Sequence, residues 1–461
     1  MSQHSGQLGT KPILGLFFGM AAPIAVGMMV HGLYNVVDAI FVTRVMGVNA
    51  MGGISIVFPI QMFIFALATL VGSGMASIVA RQLGAKQENA ANTTIDMAFR
   101  FGLVMALALT LGIYFNIDAL LEGLGVSNAL WPYASAYLVP LVLFSFPIVL
   151  ISSVPSDLLR AEGKAVLMMA SMVSSALLNI VLDALFIFVL GMGVEGVAYA
   201  TVLSQIFAIG LMLYFILGGK TQLKLRPFAY AMDWIIVKDI CLLGVPILIS
   251  HAGVSVFIGL TNYSVTQFTT VDSDLYVSAY GLIGRLMIFF ILPAIAMTIA
   301  FQTIAGYNYG AQQYDRVLAM VKLGIFSSLS YGLCVSAIML LVPELIIGIF
   351  TQNSALLTTT ASIAFWSFLL FPLSNAHSLI SSLFQALGKA RQAIFLSSLR
   401  IYIVLIPALL ILPKVYGIDG IWYSFPVADV TAFIVVIYFA LRERGNLIRL
   451  NLKPQPSQPI P

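Results

Sequence analysis

The chain has 461 residues, of which 60% are hydrophobic and only 9% are charged, and its formal net charge is +4 at pH 7. Soluble domains carry about 25% charged residues, so this composition excludes a soluble enzyme and a nucleic-acid-binding protein. Twelve apolar spans of roughly 20 residues each would occupy about half of the chain. We therefore expect a polytopic membrane protein without a sizeable soluble domain.

Apolar runs separated by polar breaks predict twelve transmembrane helices in chain order. Helices are expected because the open edges of a sheet cannot be satisfied in lipid, so the predicted fold class is all-α. The first six spans are predicted near residues 13–41, 50–78, 96–117, 131–154, 166–190 and 194–217. The second six are predicted near residues 240–266, 275–304, 318–342, 358–384, 392–412 and 417–441.

The distribution of Lys and Arg predicts the orientation of these spans. With a cytoplasmic amino terminus, nearly all basic residues fall in inner loops and tails, and only Arg44 and Lys414 fall in outer loops. Arg285 is expected to be the only basic residue inside a span. This asymmetry is the positive-inside pattern, so both termini are expected in the cytoplasm.

The two sets of six spans resemble each other in sequence. Residues 21–23 match residues 244–246, and residues 161–165 match residues 386–390, with further matches at offsets of 223 to 226. Six spans is an even number, so both copies would enter the membrane from the same side, related by a pseudo-two-fold axis along the membrane normal. We predict an N-terminal lobe (1–217), a cytoplasmic linker (218–239), a C-terminal lobe (240–445) and a cytoplasmic tail (446–461).

Ionisable residues inside spans are the candidate functional groups, because each costs at least about 2.5 kcal/mol to insert. Two aspartates fall in the outer half of the first lobe together with neutral oxygen-bearing side chains. Such a cluster is suited to reversible binding of H⁺ or Na⁺, since burial and mutual repulsion disfavour ionisation of both carboxylates. The alternative is that Asp183 accepts hydrogen bonds and only holds helices together. The predicted ion-coupling residues are Asp38, Asp183, Asn179, Thr201 and Tyr137, of which Asp38, Asp183, Asn179 and Thr201 would be the metal ligands if the ion is Na⁺.

The second lobe carries two membrane charges of opposite sign, Arg285 and Asp429. A buried structural ion pair between them is expected, because each charge would otherwise be uncompensated. Contact with a substrate or an ion is the alternative. Pro23 interrupts span one, where a bend could couple ion occupancy to the shape of a cleft. The candidates for the substrate cleft or for gating are Asn35, Pro23, Arg285 and Asp429.

These residues resemble the multidrug and toxic compound extrusion (MATE) family, in its bacterial DinF-like and MepA-like branch. The resemblance extends from Pro23 to the end of span twelve. Its carriers are Pro23 and the segments 34–38, 80–85, 159–163, 178–183 and 193–201.

The resemblance implies a twelve-helix, two-lobe antiporter of the bacterial cytoplasmic membrane that expels lipophilic cationic drugs, driven by inward H⁺ or Na⁺. It places the family's ion site on Asp38, Asn179, Asp183 and Thr201, with Tyr137 nearby. We also expect no catalytic residue, no cofactor besides the coupling ion, and a monomer in contact with membrane lipid, without a nucleic-acid or obligate protein partner. The alternative is a flippase for a lipid-linked substrate in the same superfamily.

Overall fold

The computed structural model describes residues 6–225, 228, 230–269 and 273–452. Within these residues the regular structure is helical, and they contain no strand, so the expected all-α fold class is confirmed. Residues 226, 227 and 229 of the predicted linker and residues 453–461 of the predicted tail lie outside the described part of the chain.

The first half of the chain forms nine helices, which we number in chain order. They are α1 (Gly6–Thr10), α2 (Ile13–Met46), α3 (Val48–Gly84), α4 (Glu88–Tyr114), α5 (Ile117–Gly123), α6 (Trp131–Pro140), α7 (Phe146–Ala161), α8 (Ala165–Ala184) and α9 (Val194–Phe215). The second half, in its described residues, continues with α10 (Trp234–Phe268), α11 (Ser273–Gly310), α12 (Tyr314–Leu341), α13 (Pro343–Ile347), α14 (Ser354–Phe368), α15 (Phe371–Ala386), α16 (Ala390–Ser398), α17 (Ile406–Tyr416) and α18 (Ile418–Asn451).

Four π-helical turns join or extend these helices within the described residues. One separates α6 from α7 (Leu141–Ser145), one follows α8 (Leu185–Val189), one follows α9 (Ile216–Lys220) and one joins α16 to α17 (Leu399–Leu405). Such turns are frequent at functional sites. The second begins two residues after Asp183, and the fourth contains Arg400.

Eleven helical segments of the described chain are long and apolar enough to cross a membrane. A twelfth span results if α14 and α15, which meet at an angle of 43°, cross as one broken helix. Pro372 explains the break, because its nitrogen cannot donate to the carbonyl of Phe368. The Ser336 hydroxyl donates to that carbonyl instead, with 2.6 Å between the oxygens. The protein is therefore a multi-pass membrane protein whose broken span is stabilised by a neighbouring helix.

The chain divides into two compact units, in agreement with the expected two-lobe architecture. Unit 1 contains Gly19–Leu83 and Gln87–Leu248, and unit 2 contains Gly6–Phe18, Gly84–Lys86 and the chain from Ile249 onwards. Helices α2 and α10 therefore each begin in one unit and continue in the other. The lobe limits near residues 217 and 240 stay a prediction.

Each unit has its own hydrophobic core. In unit 1, Tyr137, Phe146 and Leu150 lie in a cluster that draws on helices α2 to α7, on α9 and on the π-helical turn that follows α8. In unit 2, Trp422 and Phe368 lie at the centre of the corresponding cluster. Helices α2, α6 and α18, which carry polar residues of interest, contribute side chains to these cores.

The segment that follows α9 is bound to unit 1 by buried acidic side chains. The Glu162 carboxylate accepts hydrogen bonds from the backbone nitrogens of Gln222 and Leu223 at 2.8 to 3.1 Å. The Asp96 carboxylate accepts a bond of 2.7 Å from the backbone nitrogen of Phe228. Irregular backbone needs such partners when it is removed from water. These bonds therefore fix the described residues of the predicted linker against α4 and the end of α7.

Helices α3 and α10 approach each other closely in unit 1, where two glycines face backbone carbonyls. A Cβ atom added at Gly74 would lie 2.0 Å from the carbonyl oxygen of Ile240. One added at Gly244 would lie 2.0 Å from the carbonyl oxygen of Leu70. The two backbones are thus in direct contact, and neither position has room for a side chain.

We expect Gly244→Ala to lower stability by about 1 to 3 kcal/mol, the usual cost of overpacking a well-packed contact. The measurement is the thermal unfolding midpoint of the purified protein in detergent. Gly112→Ala is the matched control, because an added Cβ at Gly112 meets no atom within 4 Å. A glycine-to-alanine change in an open helix position normally stabilises by about 0.5 to 1 kcal/mol. Equal midpoints for the two variants would show that α3 and α10 are not in backbone contact.

Candidate ion-binding site

Two carboxylates, Asp38 on α2 and Asp183 near the end of α8, face each other in the interior of unit 1. Their side chains are close enough to share a hydrogen bond when one of them carries a proton. Asp183 is fully buried. Neither of its oxygens has a hydrogen-bond partner, and the same holds for Oδ1 of Asp38.

The charge of this pair is not balanced by protein side chains. In the described part of the chain, neither carboxylate forms an ion pair with a Lys, Arg or His. Two ionised carboxylates at this separation repel each other, and the repulsion is strong where water is excluded. The pair therefore needs at least one bound proton or one metal cation.

Asn179 and Thr201 carry the neutral oxygens of the predicted site. Asn179 lies one turn before Asp183 on the same face of α8. Its side chain is 1% exposed, and neither amide atom has a hydrogen-bond partner. The Thr201 hydroxyl donates to the carbonyl of Val197 at 3.1 Å, which leaves its oxygen free to accept. Hard cations prefer oxygen ligands of this kind.

Tyr137, on α6, is the third neutral group of the predicted site. It is 5% exposed and interacts electrostatically with Asp38 and Asp183. Its hydroxyl oxygen accepts a hydrogen bond from Nε2 of Gln61 at 3.4 Å. With that acceptor position occupied, the hydroxyl proton is available to the carboxylates. All five predicted ion-coupling residues lie in unit 1, and their role in ion coupling stays a prediction.

Two residues of this region were missed by sequence reasoning. Tyr34 interacts electrostatically with Asp38, Asp183 and Tyr137. Its position one turn before Asp38 on α2 could have revealed it. Gln61 gives no comparable signal, because its role depends on how α3 packs against α6.

Two of the cleft or gating candidates lie on α2 outside the carboxylate pair. Asn35 is exposed, and its side-chain nitrogen donates to the carbonyl of His31, one turn earlier in the same helix, at 2.9 Å. Pro23 lies inside α2, which continues as one helix from Ile13 to Met46. Their roles in a cleft stay predictions.

The expected ion pair between Arg285 and Asp429 is wrong. Asp429, which is 2% exposed, pairs with Arg400, whose Nε donates to Oδ1 at 2.6 Å. Arg400 lies ten residues inside the span that starts at Ala390, in a π-helical turn packed against α18. Arg285 is instead on an exposed face of α11 and forms no ion pair with another described residue. The expectation that Arg285 is the only basic residue within a span is therefore also wrong.

Comparisons with known proteins identify the family of the chain. The family model MatE matches residues 23–185 and 246–410, one segment in each sequence repeat. The chain belongs to the MatE family. This is a family of multidrug efflux transporters rather than of enzymes.

Two relatives cover nearly the whole of this MatE protein. The multidrug export protein MepA of Staphylococcus saprophyticus is 23% identical over 444 residues, which cover 95% of this chain and 96% of that protein. The probable multidrug resistance protein YoeA of Bacillus subtilis is 24% identical over 432 residues, which cover 90% of each chain.

Solved structures share the same fold. A multidrug resistance MATE family transporter of the MOP superfamily, in an outward-facing conformation, superposes with a TM-score of 0.90 at 24% identity, covering 97% of this chain and 99% of that chain. A MOP superfamily transporter from Pyrococcus furiosus superposes with a TM-score of 0.89 at 25% identity, covering 97% and 99% of the two chains.

We expect Arg400→Leu to destabilise the protein by about 3 to 5 kcal/mol, because it leaves the buried Asp429 charge without compensation. The double variant Arg400→Leu, Asp429→Leu should recover most of this loss, since no buried charge remains. Arg285→Leu is the control and should change stability by less than about 0.5 kcal/mol. Thermal unfolding in detergent measures all three. A double variant less stable than Arg400→Leu would contradict the assigned pair.

Proposed function

We propose that this MatE protein is a cation-coupled multidrug antiporter that exports lipophilic organic cations in exchange for H⁺ or Na⁺. The observation that carries the proposal is the facing pair of Asp38, which is partly buried, and Asp183, which is fully buried, without a basic partner among the described residues. Membership of a multidrug efflux family and the names of the relatives support the export of drugs. The proposal places the protein in a bacterial cytoplasmic membrane, with both termini in the cytoplasm.

Coupling requires that ion and drug favour different states of the transporter. The ion binds at the carboxylate pair when the site is open to the outside, and its charge relieves the repulsion between Asp38 and Asp183. The state without the ion is favoured by the drug, which is bound from the cytoplasm or the inner leaflet. A ligand with equal affinity for both states shifts nothing, so this difference in affinity is what drives alternating access.

The energetics depend on which charges move. Exchange of one H⁺ for one monovalent drug cation carries no net charge across the membrane, so the pH difference alone drives it. Exchange of one Na⁺ for a neutral drug moves one charge and gains about 2.3 kcal/mol per 100 mV of membrane potential. Imposing the two gradients separately therefore identifies the coupling ion.

The chemistry of the chain suits a broad range of drugs. It contains 31 Phe and 20 Met residues. Aromatic faces attract organic cations, and flexible thioether side chains adapt to ligands of different shapes. We propose that the protein acts as a monomer with no cofactor other than the coupling ion, and that it binds small lipophilic cationic drugs rather than nucleic acid.

We expect Asp38→Asn and Asp183→Asn each to reduce coupled efflux at least about tenfold, because each variant removes a charge that the coupling ion must balance. The measurement is transport of a fluorescent lipophilic cation into inside-out membrane vesicles, with pH and Na⁺ gradients imposed separately. Asp118→Asn is the matched control, since Asp118 is exposed on the short helix α5.

Undiminished efflux in both carboxylate variants would overturn the role of the pair. Absence of efflux from wild-type vesicles, with folded protein in the membrane, would overturn the drug-export proposal. The flippase for a lipid-linked substrate would then be the function to test.

A further inference from the structure

In unit 2, the start of α16 and the end of α18 lie side by side, at the edge of the membrane that the proposed topology makes cytoplasmic. The rings of Phe395 and Phe439 pack against each other with 5.8 Å between their centroids. One turn nearer to the edge, Nζ of Lys389 pairs with Oε2 of Glu443 at 2.5 Å. These two contacts show that the helices are antiparallel here and fix their register.

Two arginines lie at the edge, one on each helix. Arg391 precedes Phe395 by four residues, and Arg442 follows Phe439 by three, so each lies about one turn from its aromatic neighbour. Both arginines are exposed, and neither forms an ion pair with another described residue. The ion pair beside them is neutral as a whole. Their two positive charges are therefore not balanced by this part of the protein.

The direction of Arg442 follows from a contact on the opposite side of α18. Asn451 lies nine residues after Arg442, about two and a half turns, and therefore projects from the opposite side. Its side-chain nitrogen donates to Oδ1 of Asp315, on α12, at 2.9 Å. Arg442 thus faces away from α12. It lies within about 60° of Phe439 around the helix, the residue that contacts α16.

Exposed apolar side chains continue from the arginines toward the middle of the membrane. Phe395 is 41% exposed and Tyr438 is 61% exposed. Ile434, one turn farther from the edge on the same side of α18, is also exposed. Aromatic side chains at this depth are typical of the boundary between lipid headgroups and acyl chains. A molecule bound here would meet two positive charges at one end and an apolar surface along the rest.

The corresponding place in the first repeat lacks both arginines. At the repeat offset of 225 residues, Val166 corresponds to Arg391. At the offset of 224 residues that relates the last span of each repeat, Gly218 corresponds to Arg442. Both repeats meet the same side of the membrane, so the positive-inside tendency alone does not account for a pair of arginines in one of them.

The chemistry of this surface matches a phospholipid. The guanidinium group of arginine presents a planar set of N–H donors that fits the oxygens of a phosphate. Two such groups at the edge of an apolar, aromatic surface suit a phosphodiester headgroup joined to acyl chains. The excess of positive charge favours a lipid with a net negative charge over a zwitterionic lipid.

We propose that Arg391 and Arg442 bind the phosphate of an anionic phospholipid of the cytoplasmic leaflet, whose acyl chains lie on Phe395, Tyr438 and Ile434. The bound lipid joins the start of α16 to the end of α18. This lipid site belongs to the outer surface of unit 2, and it does not depend on the export of drugs or on the coupling ion.

Native mass spectrometry of the purified full-length protein tests the lipid site. It counts the lipids that stay bound when the detergent is removed, after titration with phosphatidylglycerol or, in parallel, with phosphatidylcholine. Each basic residue beside an anionic headgroup contributes about a fivefold gain in affinity. We therefore expect the double variant Arg391→Gln, Arg442→Gln to bind phosphatidylglycerol at least about tenfold more weakly than the wild type.

The double variant Lys322→Gln, Arg444→Gln is the matched control. It removes the same amount of charge from exposed positions of unit 2 that form no ion pair with another described residue. Arg444 is two residues from Arg442 and projects from a different side of α18. The control should retain the phosphatidylglycerol affinity of the wild type. Equal loss in the two double variants would show a general attraction to surface charge and would overturn the site.

Three further outcomes decide the proposal. Undiminished binding in Arg391→Gln, Arg442→Gln overturns it, and so does equal retention of phosphatidylcholine and phosphatidylglycerol by the wild type. A bound lipid also raises the thermal unfolding midpoint by mass action, so phosphatidylglycerol should raise the midpoint of the wild type more than that of the arginine variant. The same rise with inorganic phosphate alone would show that the arginines bind free phosphate and would overturn the assignment to a lipid. Efflux by the Asp38 and Asp183 variants tests the proposed function separately.

Discussion

The repulsion between Asp38 and Asp183 is the constraint on which the rest of this structure depends. Both side chains lie in an apolar helix bundle, and no basic side chain of the described chain pairs with them. A buried carboxylate can be kept neutral by a proton or balanced by a cation, and either ligand can leave again. A cation-coupled transporter requires a site whose charge is balanced only while a mobile cation is bound. A permanent ion pair between two side chains needs no such cation.

Unit 2 shows how the same physical problem is solved when no mobile ion is needed. Asp429 is nearly as deeply buried as Asp183, but the Arg400 guanidinium pairs with it directly. This arrangement joins the π-helical turn after α16 to α18 and needs no ligand from outside. The two sequence repeats thus have similar helical architecture but differ in charge chemistry, and the proposed ion site lies in unit 1.

Buried backbone polar groups, like buried polar side chains, need hydrogen-bond partners. Pro372 breaks the span formed by α14 and α15, and the freed carbonyl of Phe368 accepts a hydrogen bond from Ser336. The irregular chain after α9 is held by Glu162 and Asp96. In both places a polar side chain from a neighbouring helix replaces the bond that a regular helix would have made, which is the condition for irregular backbone in or near a membrane.

The sequence by itself determined the all-α class, the number and approximate position of the spans, the repeat, and the presence of Asp38 and Asp183 inside apolar helices. These follow from hydropathy and from the cost of burying charge, which are properties of single residues and short segments. Only the tertiary structure decided that Arg400 rather than Arg285 pairs with Asp429, and that Gln61 reaches Tyr137. Partner choice depends on which faces of distant helices meet, and hydropathy carries no information about the rotation of one helix against another.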